Sequence, residues 1–416
     1  MKSPTAGLAL LAWVTACSSM ASNEDMAREI DPVAHDIGPA KQTDTEGDRQ
    51  GDGARAPLPA PPMVLSAADR ARFRPLPARP GAVPVLLFHG ICPASCSPED
   101  IYGVSQLEFA RMMMMLESAG FTPLSIADYD AHMRGAEVRL PIKPILVTFD
   151  DGRLDAYRGA DAVLAALGAR ATQFVITAFP QGNAPSFMSW SEIAAAQASG
   201  RWDIQLHADA GHVRIRVEDT PAGGPVYGPF YSNLAYDPVT WPEGAHLEPF
   251  DSWKARAEGD ISRGVSLLSA RVPGYRPIAF ALPYGDYGQY ASNDPRIAPE
   301  LRGFLKERFG CWFTQPSSNP DFSTPSKTHE LWRYTIKSTS TADTLYDWLR
   351  ARSSQATGQA PAQTPAQAPA QTPAQAAGHD EGGCCVARAP APGFAAAGLL
   401  LAPAALLARR RDRHAG

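Results

Sequence analysis

The sequence predicts an α/β fold, a (β/α) barrel that is distorted or incomplete, spanning about residues 81–352 and flanked by two unstructured tails. Three observations carry this expectation. Through that stretch, short apolar runs alternate with helical patterns, the signature of a mostly parallel sheet covered by helices. Its roughly 270 residues and seven or so strands suit a barrel, closed or incomplete. Outside it the composition turns against a core: Pro is 39 of 416 residues, against a usual ~5 %, and much of it lies beyond the patterned region.

The elements read in order. Val83–Phe88 is a strand and Gln106–Ala119 a helix, whose Met112–Met115 run is core packing. Ile145–Phe149 is a second buried strand, followed by a helix over Asp155–Leu167 and a strand over Ala171–Ile176. A helix over Trp190–Ala198 leads to a strand over Trp202–Leu206; a helix over Trp253–Ala270 leads to a strand over Ile278–Leu282. Arg296–Arg308 is helical, Cys311–Thr314 is a strand, and a last strand lies in Leu331–Ile336. Glu218–Pro249, rich in Gly, Pro and aromatics, reads as a long insertion loop near the site.

The two ends have their own logic. In 1–21, Lys2 precedes an apolar stretch over Gly7–Val14 and then small residues, the layout of an export signal and too short to span a bilayer. Val14-Thr15-Ala16-Cys17 resembles a lipobox, with Cys17 as the lipidated first residue; Ser19-Met20-Ala21 fits cleavage after Ala21 instead. Residues 22–80 are acidic, small and Pro-rich, a flexible linker, and 353–382 is a second one built on Pro-Ala-Gln units. In 383–416, Gly383-Cys384-Cys385 precedes an apolar stretch, Phe394–Ala408, and then Arg409–Arg413. Such a basic cluster stays on the cytoplasmic side. The layout resembles the MYXO-CTERM sorting tails, which implies cleavage near the Cys pair and display at the cell surface; a permanent weak anchor is the alternative. The expected location is therefore the cell envelope or surface, outer-membrane associated, with attachment through Cys17, the tail, or both. Cys92 and Cys96 suit a local disulfide in an oxidising compartment, and Cys311 is a buried thiol. Formal net charge is −5 with 19 % charged residues, so no basic excess exists to track a phosphate backbone, and nucleic acid is excluded as a partner.

In parallel α/β folds the chemistry gathers at the carboxyl ends of strands. Here four strands end in His89-Gly90, Asp150-Asp151-Gly152, His207 with Asp209 and His212 beyond, and Pro283-Tyr284-Gly285. Taken singly each is a turn or a loop histidine; together they suit metal-assisted hydrolysis. Neutral imidazoles and one carboxylate can hold a divalent cation with positions open for water and substrate. A second carboxylate can take a proton from water, a histidine across the cleft can protonate a leaving amine, and backbone N–H groups around Tyr284 can bind an oxyanion.

Thr148-Phe149-Asp150-Asp151-Gly152 resembles the first motif of the polysaccharide deacetylases, the NodB-homology group or carbohydrate esterase family four. His207-Ala208-Asp209-Ala210-Gly211-His212 resembles the His pair of the poly-β-(1→6)-N-acetylglucosamine deacetylase branch, in which the fold is circularly permuted. There the acid histidine comes from an early strand, as in Leu86-Leu87-Phe88-His89-Gly90, and Ala281-Leu282-Pro283-Tyr284-Gly285 resembles the third motif. The likeness covers about residues 83–349. It implies Asp150 as general base, Asp151, His207 and His212 as ligands of one divalent metal, zinc by default with cobalt or nickel as options, His89 as general acid, and the Tyr284 amide in the oxyanion hole. The implied reaction removes N-acetyl groups from a glucosamine-containing polysaccharide and releases acetate; a peptidoglycan deacetylase, an O-acetyl esterase and a non-catalytic glycan-binding module are the alternatives. Two features depart from the wider family. Its third motif carries an Arg near the base, where this sequence has Ala281, and a late Leu-x-His motif is missing, since His329 lies at the wrong end of its strand. His132 and His246 match no motif, and Asp209 turns the loop between the two histidines.

Overall fold

The computed structural model describes residues 55–182, 184, 186–219, 224–237, 246–315, 320–325 and 329–355. The export signal with Cys17, residues 22–54 of the first linker, nearly all of the second linker, and the tail with Cys384 and Cys385 lie outside the described residues. Among the described residues, no helix is long and apolar enough to cross a membrane.

In chain order the strands are β1 (Val85–Phe88), β2 (Gly90–Cys92), β3 (Gly103–Ser105), β4 (Thr122–Pro123), β5 (Pro144–Phe149), β6 (Ala171–Ile176), β7 (Trp202–Ala208), β8 (Arg214–Asp219), β9 (Pro225–Pro229), β10 (Ala279–Ala281), β11 (Cys311–Thr314), β12 (Glu330–Trp332) and β13 (Tyr334–Thr335). The helices are α1 (Ala67–Arg72), α2 (Gln106–Ala119), α3 (Ile126–Met133), α4 (Leu154–Ala166), α5 (Ala178–Gln181), α6 (Trp190–Ala198), α7 (Phe250–Arg271), α8 (Ile297–Arg308) and α9 (Ala342–Ser353).

β5 shows why the sheet forms. All six of its residues are buried, and successive side chains serve different cores. Ile145, Val147 and Phe149 pack with the helices in the larger apolar cluster. Leu146 faces a smaller cluster with Val85, Phe174, Ala281, Phe313 and Leu331 from the other strands. This is period-two alternation with both faces apolar, as a parallel sheet buried on both sides requires. The main sheet runs β12–β11–β10–β7–β6–β5–β1–β13, with β4 beside β5, and every pairing in it is parallel. Its two edge strands, β12 and β13, are separated in sequence by Arg333 alone. The chain thus leaves its pairing with β11 and takes up one with β1 within one residue, and the sheet nearly closes into the expected barrel. At the end where strands begin, Leu124, Ile126, Tyr129 and Met133 join the inner cluster. The Ile126 N–H there donates to Asp203 Oδ2 at 2.9 Å.

Three expectations need correction. Residues 55–80 are not a free linker. Phe73 and Leu76 enter the main core, Leu58 N–H donates to Arg158 O at 2.8 Å, and Arg55 chelates the buried Glu192 at 2.9 and 3.0 Å. The tract's prolines favour an extended strap, and its few apolar residues suffice to dock it. Within 218–249 the chain is not wholly loop: β8 and β9 form an antiparallel hairpin, which begins before the stretch read as an insertion. The last strand, read as continuous over 331–336, is broken at Arg333. Cys92 and Cys96 do form a disulfide, and Cys311 is a buried free thiol.

Candidate metal centre and active site

The sheet register sets the site. Phe88 lies opposite Phe149 in the β1–β5 pairing, so His89 and Asp150 leave adjacent strands side by side. β5's alternation turns Leu146, Thr148 and then Asp150 to the inner side. A regular strand would send Asp151 the opposite way. Instead Asp151 and Gly152 both take left-handed backbone, φ 72° and 73°, a conformation Asp tolerates better than most residues. The swerve brings both carboxylates to one place. His207 Nε2 lies 3.8 Å from Asp150 Oδ2 and 3.5 Å from Asp151 Oδ1, and His212 Nε2 lies 3.6 Å from Asp151 Oδ1.

The Asp151 carboxylate and the two imidazoles each offer one ligand atom, all within 4.8 Å of one another. Metal–ligand bonds of ~2.0–2.2 Å need donors about this close, so the trio fits one divalent cation. The donor set is right too. His207 Nδ1 sits 2.7 Å from the Ala281 carbonyl oxygen; donating there leaves Nε2 bare and aimed inward. Burial pushes the His207 imidazole down to about 3, against the pull of Asp150, so the ring is neutral and able to ligate.

Asp150 is held differently. Arg333 grips it with two parallel bonds, Nη1–H to Oδ1 at 2.6 Å and Nη2–H to Oδ2 at 2.7 Å. Both side chains are buried, and the guanidinium lies 5.5 Å from the ring centroids of both Phe174 and Phe313. Gln173 Nε2–H donates to the Asp150 carbonyl at 3.1 Å, fixing the backbone as well. Burial alone would raise this carboxyl; Arg333, through its charge and its two hydrogen bonds, is the main counterweight and brings it down to about 2. Arg333 is the site residue the sequence reading missed. It answers the Ala281 departure, because the arginine paired with Asp150 comes from the barrel seam instead of the third motif. One signal could have found it: it is a charged residue two positions after Leu331, hence on the same inward face of a buried strand.

His89 is buried, and its ring packs on Tyr102 with centroids 4.8 Å apart. Tyr102 ends the connection from β2 to β3, which starts at the Cys92–Cys96 disulfide and is tied down by Asp100 accepting from Arg153 Nη2–H at 2.6 Å. Tyr284 has φ 58° within the Pro283–Gly285 turn, a strained state for a bulky residue, costing ~1–3 kcal/mol. The kink lays its ring against His212, centroids 4.8 Å apart. All six residues singled out in the sequence therefore meet at one rim. Asp209 does not join the trio: its oxygens accept from Thr177 Oγ1–H at 2.7 Å and Arg263 Nε–H at 2.9 Å. His132 bonds the Gly81 carbonyl at 3.0 Å, and the His246 ring lies tilted against Tyr236, centroids 5.7 Å apart.

Fold and rim together define a nearly closed (β/α) barrel with a candidate metal site at the carboxyl ends of its strands. Residues 137–296 match the family model described as polysaccharide deacetylase. That span holds Asp150, Asp151, His207, His212 and Tyr284, while His89 and Arg333 lie outside it. Among solved structures the chain is similar to a de-N-acetylase from Aggregatibacter actinomycetemcomitans, with 19 % identity over 64 % of this chain and 99 % of that one and a TM-score of 0.51. It is also similar to IcaB from Ammonifex degensii (24 % identity, 65 % and 98 % coverage, TM-score 0.46). The deacetylase domain of BpsB from Bordetella bronchiseptica is another (19 % identity, 63 % and 98 % coverage, TM-score 0.48). At 19 % identity the likeness to the first of these speaks for the fold alone. No curated protein matches the sequence.

Proposed function

We propose that the chain is a metal-dependent polysaccharide deacetylase that hydrolyses N-acetyl groups on a glucosamine-containing polymer and releases acetate. The observation that carries the reading is the pairing of two differently tuned carboxylates: Asp151 turned to two imidazoles, and Asp150 locked against Arg333, with both within 4 Å of His207 Nε2. Binding a glycan requires no such pair; activating a water does. Asp151, His207 and His212 would hold one divalent ion, with zinc the default for this donor set. When bound, that ion acidifies water and polarises the acetyl carbonyl.

The chain's own groups do the remaining work. Asp150 accepts the proton of the attacking water, and Arg333 keeps it ionised and fixed in orientation. His89, held by Tyr102, donates a proton to the departing amine. The Tyr284 N–H supports the carbonyl oxygen as charge develops on it. We further place the protein at the cell envelope, attached through Cys17 or the C-terminal tail. The Cys92–Cys96 disulfide supports an oxidising compartment.

The test is acetate release from acetylated β-(1→6) and β-(1→4) glucosamine oligomers. Wild type should release acetate, stop in chelator and recover with a divalent ion. Asp150→Asn should lose ~10²–10⁴-fold of the rate, the usual worth of a positioned base. If both forms are equally inert yet bind the oligomer, the protein is a glycan-binding module. Turnover that survives exhaustive chelation sinks the metal mechanism.

A further inference from the structure

His207 is fixed by β7 and by the Ala281 carbonyl, but His212 stands five residues further on, outside any strand, so its aim depends on the 208–211 loop. That loop is clamped from one side by a buried carboxylate on α7. Asp260 Oδ2 accepts the Asp209 N–H at 2.9 Å, and Oδ1 accepts the Ala210 N–H, also at 2.9 Å. The Tyr231 hydroxyl donates to the same Oδ2. Asp260 is 1 % exposed. One helical turn on, Arg263 holds Asp209 Oδ2 at 2.9 Å, while the opposite side of the loop is tied by Thr177 N–H to Ala208 O at 2.9 Å and Ala178 N–H to Asp209 O at 3.1 Å. The next residue, Gly211, passes flush against the clamp. A Cβ there would lie 2.7 Å from Tyr231 Oη and 3.0 Å from Asp260 Oδ2.

We infer that Asp260 is a positioning residue for the cation site: by binding two consecutive backbone N–H groups it sets where His212 points, touching neither ion nor substrate. This rests on the reading that Asp151, His207 and His212 hold a metal. An amide in place of the carboxylate keeps the shape but presents an NH₂ to one of the two N–H donors, which breaks the clamp on one side. Groups that orient metal ligands are worth ~10–100-fold in affinity, and Asp260→Asn should weaken Co²⁺ binding by that factor.

A merely structural role would lower affinity too, so the decisive readout is coupling. The full-length protein and its Asp260→Asn, His212→Ala and double variants are titrated with Co²⁺ and followed by absorbance. If Asp260 acts through His212, the double variant binds no more weakly than His212→Ala alone. Unchanged affinity in Asp260→Asn, or losses that multiply in the double variant, overturns the inference while leaving the metal site intact. Failure of the wild type to bind Co²⁺ at the rim overturns the functional reading beneath it. Should Asp260→Asn not fold, Gly211→Ala takes its place in the same cycle, since its Cβ pushes the loop off the clamp.

Discussion

Arg333 and Asp150 stand 183 residues apart in the chain and form a buried bidentate pair. Its worth lies in what happens when it is broken. Removing one partner strands a charge in a dry interior, at a cost of ~3–5 kcal/mol. Arg333→Met should therefore lower the urea midpoint substantially, and its Asp150 carboxyl should take up a proton at a higher pH, since burial then acts without its main countercharge. Arg333→Lys is the sharper probe. Lysine restores a charge but not the planar fork, so Asp150 stays ionised yet loses its fixed orientation. The expected result is a reduced kcat, with the acid limb of the rate profile shifted to higher pH than in wild type but less than in Arg333→Met. A wild-type rate profile in both variants would show that the pair does not tune Asp150. This residue also marks where the sequence reading stopped. Asp150, Asp151, His207 and His212 announce themselves through local spacing at strand ends. Arg333 has no local motif, and only the closing of the sheet carries it to Asp150.

Elements were legible where periodicity was long and apolar. Gln106–Ala119, Trp190–Ala198, Ala171–Ile176 and Cys311–Thr314 have the expected limits, because each is bounded by a cap or a turn and buries a regular face. Ser105 and Ser189, for example, cap their helices by accepting N–H bonds from Glu108 and Glu192. The short β12 and β13 could not be separated from sequence, since the break at Arg333 obeys the barrel seam rather than any residue preference. The strap at 55–80 was illegible for another reason: composition reports average polarity, whereas docking depends on a few residues. Phe73 is 1 % exposed and Leu76 6 %. Burying two such side chains is worth ~1.5–3 kcal/mol each. A chain starting at Gly81 should consequently be less stable than one starting at Arg55 by roughly 3–6 kcal/mol, read as a drop in urea midpoint at constant slope. Arg55→Ala alone should cost about 1–3 kcal/mol, because the Glu192 carboxylate stays buried and loses the guanidinium, keeping its bonds from the residue 55 N–H and the Ser189 N–H and hydroxyl. Equal midpoints for the two chain lengths would mean that the strap rests on the barrel without stabilising it.

At the scale of the whole molecule, the inner apolar cluster reaches the end where strands begin, while Asp150, Asp151 and His207 are buried at the end where they stop. That arrangement makes folding sensitive to pH in two separate windows. His207 is held down to about 3 when folded, from an ordinary value of 6.5. Below pH 6.5 the unfolded chain gains a proton that the folded one refuses, so stability falls as pH drops from 6.5 towards 3, with a limiting slope of ~1.4 kcal/mol per pH unit. Asp150, about 2 when folded against 3.8 ordinarily, acts lower. Its contribution is complete above 3.8 and disappears as pH falls through about 2. The windows barely overlap, which permits a test on the metal-free protein, where no ligand competes with protons for the imidazole. Urea unfolding in chelator between pH 7.5 and 4.5 should show wild type losing stability steadily below pH 6.5. His207→Asn, which cannot titrate there, should show a shallower slope by up to the contribution of one proton, so the gap between the two curves changes with pH. Parallel curves would mean that His207 takes up its proton equally in both states. The imidazole would then not be shut away in the barrel, and the neutral, inward-facing Nε2 required of a metal ligand would have no basis in the fold.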